Sequence, residues 1–360
     1  MNTLGRRITR VDHATVTTVY PRTVGRNARL GSHGAGTTSP VVVLRAEGGA
    51  VGWGLASRLP VPDDLVLGRA VDELFDPAAG IRDPTLVPFD FALHDLAGQL
   101  LDLPVHTMLG DAGPAGLPVY DGAIYFDDLD PDDGPRGVPA AVANCVDDHD
   151  LGYRAFKLKI GRGNRWMSRA EGDRRDVEVT RAVRAAFPDA RLLVDANDGY
   201  DCDGMLRYVD AVADCGLYWI EEPFLDYAAS LRRLREHLAQ VSPSTLIADG
   251  ETNPDLEQLL GFGRAGVMDV VLLDVVSHGF SAWRAVMPRF AELGVAGSPH
   301  AWGLPLKTFY AAQLAAGLGN IDVVEGVPGL TVEPDTSGYR FDDGILSVPD
   351  LPGFGLPLRN

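Results

Sequence analysis

The chain has 360 residues, of which 46% are hydrophobic and 23% are charged, and its formal net charge is -18. A length beyond that of one simple domain predicts a large domain with a smaller companion. The negative charge argues against nucleic acid as a partner, because phosphate binding requires a basic face. No apolar run approaches the roughly 18 residues that span a bilayer, so no membrane association is expected.

The N-terminus and the cysteines give no sign of secretion. The segment from Met1 to Asp12 lacks an apolar core followed by a small-residue cleavage site, so we expect a cytoplasmic location. The three cysteines, Cys145, Cys202 and Cys215, have no paired metal-ligand spacing. They are interpreted as packing residues rather than as a disulfide framework or a zinc site.

Residues 1–115 are predicted to form an α+β domain. Short β-rich runs, the last two separated by the turn-forming Gly48 and Gly49, indicate antiparallel strands. The predicted strands are Ile8 to Thr18, Pro40 to Ala46 and Val51 to Leu55. Apolar residues at helical spacing predict helices between Pro62 and Leu109.

A loop from Val19 to Thr38 is predicted between the first two strands. It concentrates positive charge in an otherwise acidic chain, through Arg22, Arg26, Arg29 and His33. These residues are candidates for binding an anionic substrate. The alternative, that the arginines are only solvated loop charges, stays open.

From Leu117 onward, a short β-rich run, a polar residue at its end and a helical segment repeat along the chain. The eight runs end near Tyr120, Lys159, Asp195, Glu221, Glu251, Asp274, His300 and Glu325. From Lys159 onward they are spaced by 36, 26, 30, 23, 26 and 25 residues, which suits a strand plus a crossover helix. Residues 116–330 are therefore predicted to form a TIM-type α/β barrel, whose strand C-termini form the catalytic face. The 331–360 segment is predicted to be a tail that returns to the first domain.

Two lysines lie two positions apart in the second run. Lys157 and Lys159 therefore point to the same side of a strand. Repulsion between two ammonium groups lowers the pKa of at least one of them, which makes a lysine usable as a base near neutral pH. The alternative is a pair of solvent-facing lysines on an edge strand.

The next three runs end in the carboxylates of Asp195, Glu221 and Glu251. Neighbouring parallel strands end at the same edge of a barrel, so these three acids are predicted to converge. Oxygen-only ligands in this number suit a hard divalent ion, and Mg²⁺ is the predicted cofactor. Asp249, two residues before Glu251, is the alternative third ligand.

Asp274 and His300 end the sixth and seventh runs, across the predicted mouth from the lysines. Adjacent strand ends allow a hydrogen bond, through which the carboxylate fixes the tautomer of the imidazole and raises its basicity. This pair is predicted to be a second acid/base group facing Lys159. Glu325, at the end of the eighth run, is predicted to hydrogen-bond the reaction intermediate.

Together these strand ends resemble those of the enolase superfamily, in particular its mandelate racemase-like subgroup, over nearly the whole chain. The matching motifs are Lys157 to Lys159, Val194 to Asn197, Ile220 to Pro223, Gly250 with Glu251, Asp274, His300 and Glu325, and, in the first domain, Gly52 to Gly54 and Ala92 to Gly98. The resemblance implies a modified (β/α)7β barrel with an N-terminal α+β capping domain that carries specificity loops.

The resemblance also implies roles for individual residues. The implied Mg²⁺ ligands are Asp195, Glu221 and Glu251. The implied acid/base catalysts are Lys159, His300 and Asp274. Lys157 and Asn197 would contact the substrate carboxylate. The segment from Val275 to Gly279 departs from the family, because it carries His278 and lacks the usual paired glycines.

The predicted function is abstraction of the proton next to a substrate carboxylate, which gives an enediolate. Loss of a β-hydroxyl would then make an acid sugar dehydratase that forms a 2-keto-3-deoxy acid, and this is our hypothesis because the arginine-bearing loop suggests a polar substrate. Return of the proton to the other face would make a racemase or epimerase of a 2-hydroxy acid. A remote alternative is a non-catalytic barrel with a vestigial site. A homo-oligomer is expected, because such barrels often assemble.

Overall fold

The structure of the chain is a computed structural model, and it describes residues 3–56, 62–225 and 228–359. The N-terminal part contains β1 (Ile8–Val24), β2 (Gly34–Ala46), β3 (Val51–Leu55), α1 (Val71–Leu74), β4 (Phe75–Asp76), β5 (Gly80–Ile81), α2 (Asp90–Leu101) and α3 (Val105–Leu109). None of the helices in the described ranges is long and apolar enough to cross a membrane.

Strands β1, β2 and β3 form an antiparallel sheet that is covered on both faces. Along β2 the side chains alternate, so Val42 packs in the same buried cluster as Leu96 of α2. Its neighbour Val43 packs instead in the large cluster that includes the barrel. The helix lies directly on β3, because a Cβ atom at Gly52 would lie 2.2 Å from the backbone nitrogen of Leu96.

The predicted loop from Val19 to Thr38 is wrong, because most of it is a two-stranded ribbon. Strand β1 continues to Val24 and β2 begins at Gly34, so only a short connection joins them. Gly36 lies within β2, where it allows a close approach of two strands. A Cβ atom there would lie 2.3 Å from the carbonyl oxygen of Thr18.

The region from Pro62 to Leu109 is helical only in parts. Its longest helix is α2, and the β4–β5 hairpin interrupts the region before that helix. A 3₁₀ helix at Pro84–Phe89 precedes α2 and contains a second proline, Pro88. Proline removes a backbone donor and prevents a continuous α-helix, so the region is divided.

The second part of the chain alternates strands and helices. Their bounds are β6 (Gly116–Ile124), α4 (Val138–Asp150), β7 (Ala155–Lys159), α5 (Arg169–Ala186), β8 (Arg191–Asp195), α6 (Cys202–Val212), β9 (Leu217–Glu221), α7 (Ala228–Val241), β10 (Leu246–Asp249), α8 (Leu256–Arg264), β11 (Val270–Val271), α9 (Phe280–Glu292), β12 (Ala296–Gly297), α10 (Pro305–Leu318) and β13 (Val324–Gly326).

These elements form a closed barrel. Strands β6 through β12 pair in parallel and in chain order, and β13 returns to pair in parallel with β6. An isolated bridge from Gly297 to Ile321 links the two ends of the sheet. One helix connects each strand to the next. The predicted TIM-type (β/α)7β fold with an α+β companion is therefore confirmed.

The C-terminal segment contacts both parts of the molecule. It contains β14 (Leu330–Thr331), β15 (Arg340–Asp342) and β16 (Ile345–Ser347). Strand β14 pairs with β1, whereas β16 pairs with the beginning of β6. Further on, the indole Nε1 of Trp53 donates a hydrogen bond of 2.6 Å to the carbonyl oxygen of Leu356. The boundaries at 1–115, 116–330 and 331–360 stay a prediction.

Candidate active site

The barrel interior has an apolar floor and a charged mouth, and inward-facing residues of the strands line both. The floor contains Tyr120, Ala155, Leu193, Trp219, Ala248, Val270, Leu272 and Val323. Side chains alternate along a strand, so positions two residues further along also point inward. Those positions on five of the strands hold Lys157, Asp195, Glu221, Asp274 and Glu325. The two-residue alternation along the strands thus places the charged side chains at the C-terminal mouth of the barrel.

Three carboxylates at this mouth fit a divalent cation. Ligand oxygens of Asp195, Glu221 and Glu251 lie within 4.8 Å of one another. Oε2 of Glu251 is buried and has no hydrogen-bond partner among the described residues. Buried, anionic oxygen donors are the set that Mg²⁺ prefers. Asp249 is outside this group, and its Oδ1 accepts a 2.6 Å hydrogen bond from the backbone nitrogen of Gly250.

Burial and the neighbouring lysines shift the pKa values of these carboxyl groups. Burial raises the pKa of Glu221 well above its usual range, although Lys157 attracts the carboxylate. Burial also acts against ionised Asp195, but Lys159 and Lys157 outweigh it and hold the pKa of Asp195 at about 2. A divalent cation between such groups relieves their mutual repulsion.

Lys157 is completely buried between carboxylates. Its Nζ lies 2.7 Å from Glu221 Oε1, 2.8 Å from Glu325 Oε1 and 3.6 Å from Asp195 Oδ2. It also lies 5.3 Å from the centre of the Tyr120 ring. These contacts fix the ammonium beneath the candidate metal site.

Lys159 reaches the same carboxylate from the next inward position. Its Nζ forms an ion pair with Asp195 and lies 5.1 Å from the centre of the Tyr125 ring. The pKa of Lys159 is not lowered overall, contrary to the expectation from its neighbour Lys157. Burial and Lys157 do act in that direction, but the pKa is raised because Asp195, with Glu251 and Glu221, attracts the ammonium more strongly. A cation shared by these carboxylates would weaken that attraction.

Asp274 and His300 form the expected hydrogen-bonded pair. Nδ1 of His300 lies 2.9 Å from Asp274 Oδ2, and the two residues are joined by a parallel backbone bridge. The other imidazole nitrogen, Nε2, lies 3.2 Å from Glu251 Oε1 and 3.8 Å from Glu325 Oε2. Burial lowers the pKa of His300, but Glu251, Glu325 and Asp274 outweigh it, so the pKa is raised. The imidazole therefore faces the carboxylate group from the side opposite Lys159.

Lys307, which the sequence reasoning missed, contacts the same pair. It lies in the first turn of α10, and its Nζ is 2.6 Å from Asp274 Oδ2. The chain contains only three lysines among 32 basic residues, and Lys307 is the third. This bias was a signal in the sequence, because all three lysines meet at the barrel mouth.

A cavity of about 400 Å³ opens beside this pair. The barrel contributes Glu251, Asp274, His300 and Lys307, and the N-terminal sheet contributes Ser39 and Leu55. The capping sheet thus closes one wall of a cavity whose other wall carries titratable side chains. A small polar carboxylic acid suits this combination of volume and lining.

The structure does not bring Arg22 or Arg26 into this cavity. Nη1 of Arg22 donates a 2.6 Å hydrogen bond to the buried carboxylate of Asp148 on α4. Arg26 pairs with Asp130 and, at 2.7 Å, with Asp132. Each guanidinium is engaged by carboxylates of the barrel, so the geometry gives no support to their predicted role in substrate binding. They attach the β1–β2 ribbon to the barrel.

Arg29 and Asn197 meet beside the metal candidates. Arg29 donates to the carbonyl oxygen of Asn197 at 2.7 Å and to Asp198 at 2.6 Å. Asn197 adopts a left-handed backbone with φ of 42°, and its backbone nitrogen donates to Asp195 Oδ1 at 2.8 Å. Its Oδ1 is buried without a hydrogen-bond partner in the described part of the chain. Arg29 thus holds the turn that positions Asp195, and Asn197 offers an amide to the site.

His33 reaches the mouth from the short connection between β1 and β2. Its ring contacts Tyr125 at 4.6 Å and Trp302 at 6.1 Å between ring centres. Nδ1 lies 2.8 Å from the carbonyl oxygen of Gly25, so this nitrogen carries the proton and Nε2 is the acceptor of the neutral ring. Burial lowers the pKa of His33, with Lys159 acting in the same direction. A neutral imidazole near Lys159 suits a substrate hydroxyl.

Comparison with known proteins identifies the class. The family model described as enolase C-terminal domain-like matches residues 140–360. The chain therefore belongs to the enolase superfamily, and the resemblance seen at its strand ends is confirmed.

Three similar proteins have informative names. A 3,6-anhydro-α-L-galactonate cycloisomerase from Streptomyces coelicolor is 30% identical over 75% of this chain and 68% of its own length. The structure of a galacturonate dehydratase from Geobacillus sp., in complex with D-galacturonate and 5-keto-4-deoxy-D-galacturonate, is 29% identical with a TM-score of 0.90, covering 99% of this chain and 95% of the other. A mandelate racemase/muconate lactonizing protein from Geobacillus sp., in complex with magnesium and tartrate, is 29% identical with a TM-score of 0.91, covering 99% and 94%.

Proposed function

We propose that the chain is a magnesium-dependent acid sugar dehydratase. The observation that carries this proposal is the placement of two acid/base groups on opposite sides of one carboxylate group: Lys159 pairs with Asp195, and His300 contacts Glu251. The similar galacturonate dehydratase supports loss of water as the outcome. Together these support a reacting carbon that lies between the two groups during turnover.

His300 is the proposed acid and Lys159 the proposed base. Burial lowers the pKa of His300, but Glu251, Glu325 and Asp274 outweigh it, and the last two of these are not proposed metal ligands. The raised pKa favours the protonated imidazole that an acid requires. Lys159 takes the α-proton, and the electron pair of the C–H bond forms a carbon–carbon double bond. The β-C–O bond breaks toward oxygen, and the proton from His300 completes a water molecule. The resulting enol tautomerises to the 2-keto-3-deoxy acid.

The proposed metal ligands are Asp195, Glu221 and Glu251. Mg²⁺ bound there would supply positive charge that stabilises the substrate carboxylate as its α-proton leaves. Burial lowers the pKa of Lys159 and Asp195 raises it, so neutralising that carboxylate leaves a larger fraction of the lysine unprotonated and able to accept the α-proton.

Other residues at the mouth are proposed to orient the substrate. Lys157 and the side-chain amide of Asn197 contact its carboxylate. Glu325, which accepts a 2.7 Å hydrogen bond from the backbone nitrogen of Ala301, hydrogen-bonds the intermediate. His33 accepts a hydrogen bond from a substrate hydroxyl.

Racemisation or epimerisation is the second candidate, and the same opposed pair favours it. If no hydroxyl leaves, His300 returns a proton to the face opposite Lys159. This outcome differs from dehydration in its product, since the carbon skeleton keeps all its hydroxyl groups.

The test is a panel of aldonic, aldaric and uronic acids incubated with Mg²⁺ and assayed chemically for 2-keto products. We expect one stereochemical class to give a 2-keto-3-deoxy acid. A Glu221→Gln protein serves as the site control and should give none. The appearance of epimers alone would replace dehydration by the second candidate.

The setting of the enzyme is also part of the proposal. We infer a cytoplasmic homo-oligomer, because acid sugars are metabolites and barrels of this kind often assemble. Size-exclusion chromatography with light scattering should give a mass that is a multiple of 38.6 kDa. A mass of one chain at working concentration would contradict the oligomer.

A further inference from the structure

Lys307 lines the cavity next to His300, the proposed acid, and its contacts leave N–H donors available to a ligand. Its side chain is 16% exposed, and its hydrogen bond in the described part of the chain is to Asp274 Oδ2. An ammonium group has three N–H donors. Two of them are therefore available to a ligand in the cavity.

Asp274, by contrast, is saturated. Its Oδ1 accepts from the backbone nitrogens of Val276 at 3.0 Å and Ser277 at 2.8 Å, and from the Ser277 hydroxyl at 2.9 Å. Its Oδ2 accepts from His300 and from Lys307. Five donors thus share one carboxylate, so Asp274 has no further capacity to engage the remaining N–H donors of Lys307.

The position and identity of Lys307 are costly for a purely structural role. It lies in the first turn of α10 (Pro305–Leu318), where the helix dipole disfavours a cation. Outside the barrel mouth most ion pairs of the described residues use arginine, and 29 of the 32 basic residues are arginines, which follows from subtracting the three lysines. A lysine here, as at Lys157 and Lys159, provides a compact charge in place of a bidentate fork.

The other charges of the cavity wall are already committed. Glu251 belongs to the carboxylate group of the candidate metal site. The opposite wall, from the capping sheet, includes the neutral Ser39, Pro40 and Leu55. Among the described lining residues, His300 is the proposed acid, so Lys307 supplies the positive charge that is left to select between ligands.

We propose that Lys307 is a specificity-determining residue that binds a second carboxylate at the far end of the substrate, so that the enzyme prefers aldaric acids to aldonic acids. This inference rests on the proposed function, because it assumes that the first carboxylate lies at the metal site. Lys307 is thus a substrate contact as well as a neighbour of Asp274.

The test measures binding in the absence of turnover. Lys159→Met protein saturated with Mg²⁺ is titrated by calorimetry with three matched six-carbon pairs: galactarate and galactonate, glucarate and gluconate, mannarate and mannonate. The same titrations are repeated with two double variants, which combine Lys159→Met with either Lys307→Met or Lys307→Arg. The readout is the ratio of aldarate affinity to aldonate affinity within the pair that binds most tightly.

We expect Lys307→Met to lower this ratio roughly 10- to 100-fold, since a charge-assisted hydrogen bond is lost for one ligand only. Lys307→Arg should keep most of the ratio, because it keeps the charge. An unchanged ratio in Lys307→Met, even with both affinities lowered equally, would overturn the proposal, as would absence of aldarate binding to the protein that retains Lys307. Lys307→Gln gives the same comparison if methionine impairs folding.

This test separates the inference from the proposed function. Binding ratios are measured on a protein that does not turn over, so they are readable whether or not the wild type dehydrates any acid. Conversely, 2-keto product from aldonic acids alone would support dehydration and contradict the role of Lys307.

Discussion

The arginines of the β1–β2 ribbon and the lysines of the barrel mouth contact different kinds of carboxylate, although both groups were predicted to be functional. Arg22 and Arg26 are paired with aspartates of the barrel wall. Lys157 and Lys159 meet the carboxylates that converge on the candidate metal site. The partner of a cation, rather than its presence in a loop or strand, decides its role.

The two kinds of cation also differ chemically. A guanidinium can bridge both oxygens of a carboxylate and stays charged, which suits a structural attachment. An ammonium is a point charge whose pKa moves with its surroundings, which suits proton transfer. The comparison therefore assigns stability to the ribbon and chemistry to the mouth, and it can be tested by changing one region at a time.

The largest effect is expected at Lys159. Lys159→Met removes the proposed base and leaves an unbranched side chain one atom shorter, so kcat/KM should fall roughly 1,000-fold or more. The measurement is the initial rate of 2-keto product formation with saturating Mg²⁺. Arg233→Met, which breaks an exposed pair with Asp203, is the matched control and should retain activity. Comparable rates for the two variants would contradict the assignment of the base.

A structural effect of similar size is expected from Arg22. Arg22→Met leaves the carboxylate of Asp148 buried without its partner, so the free energy of unfolding should fall by about 3 kcal/mol. Urea denaturation followed by circular dichroism gives this value. Arg181→Met, which breaks an exposed pair with Asp214, should cost less than about 1 kcal/mol. Equal losses in the two variants would remove the attachment role of Arg22.

A smaller effect on the chemistry is expected at Asp274. Asp274→Asn removes the negative charge shared by His300 and Lys307, so kcat should fall roughly 100-fold. Steady-state kinetics on the substrate found in the panel measures this change. Asp214→Asn on the surface serves as the control. A change in KM alone would mean that the aspartate serves binding rather than proton transfer.

The smallest effect is a pH dependence of stability at Asp127, which begins the 3₁₀ helix Asp127–Leu129 after β6 and contacts Gly25 in the connection between β1 and β2. Burial raises the pKa of Asp127 to about 6, although Arg22 and Arg136 oppose it. Between the unfolded value near 4 and this value, the folded protein binds more protons, so stability falls as pH rises through that window. We expect the free energy of unfolding of Asp127→Asn to decrease by about 1 to 2 kcal/mol less than that of the wild type across this pH window. Parallel curves of stability against pH for wild type and variant would contradict it.

The barrel could be predicted from the sequence because its signals are local. Strand-end residues such as Asp195 and Glu221 follow short apolar runs at regular spacing, and the period of two fixes which side chains point inward. The hydrogen-bonded pair of Asp274 and His300 followed from the adjacency of their strands.

The ribbon could not be predicted in this way, because its partners are distant in the chain. Arg22 and Asp148 are 126 residues apart, and Arg26 and Asp130 are 104 apart. Composition records that arginines are present but not which carboxylates they meet. Lys307 was missed for a related reason, since it lies within a helix rather than at a strand end.

The most direct test of the central claim is proton NMR of the turnover reaction in D₂O with Mg²⁺, for the wild type and for Lys159→Met. We expect the wild type to form a 2-keto-3-deoxy acid with solvent deuterium at carbon 3, and Lys159→Met to form none. Deuterium at carbon 2 of an acid that keeps all its hydroxyl groups, with no keto product, would show epimerisation instead. Keto product from Lys159→Met at the wild-type rate would contradict the division of roles between the mouth and the ribbon.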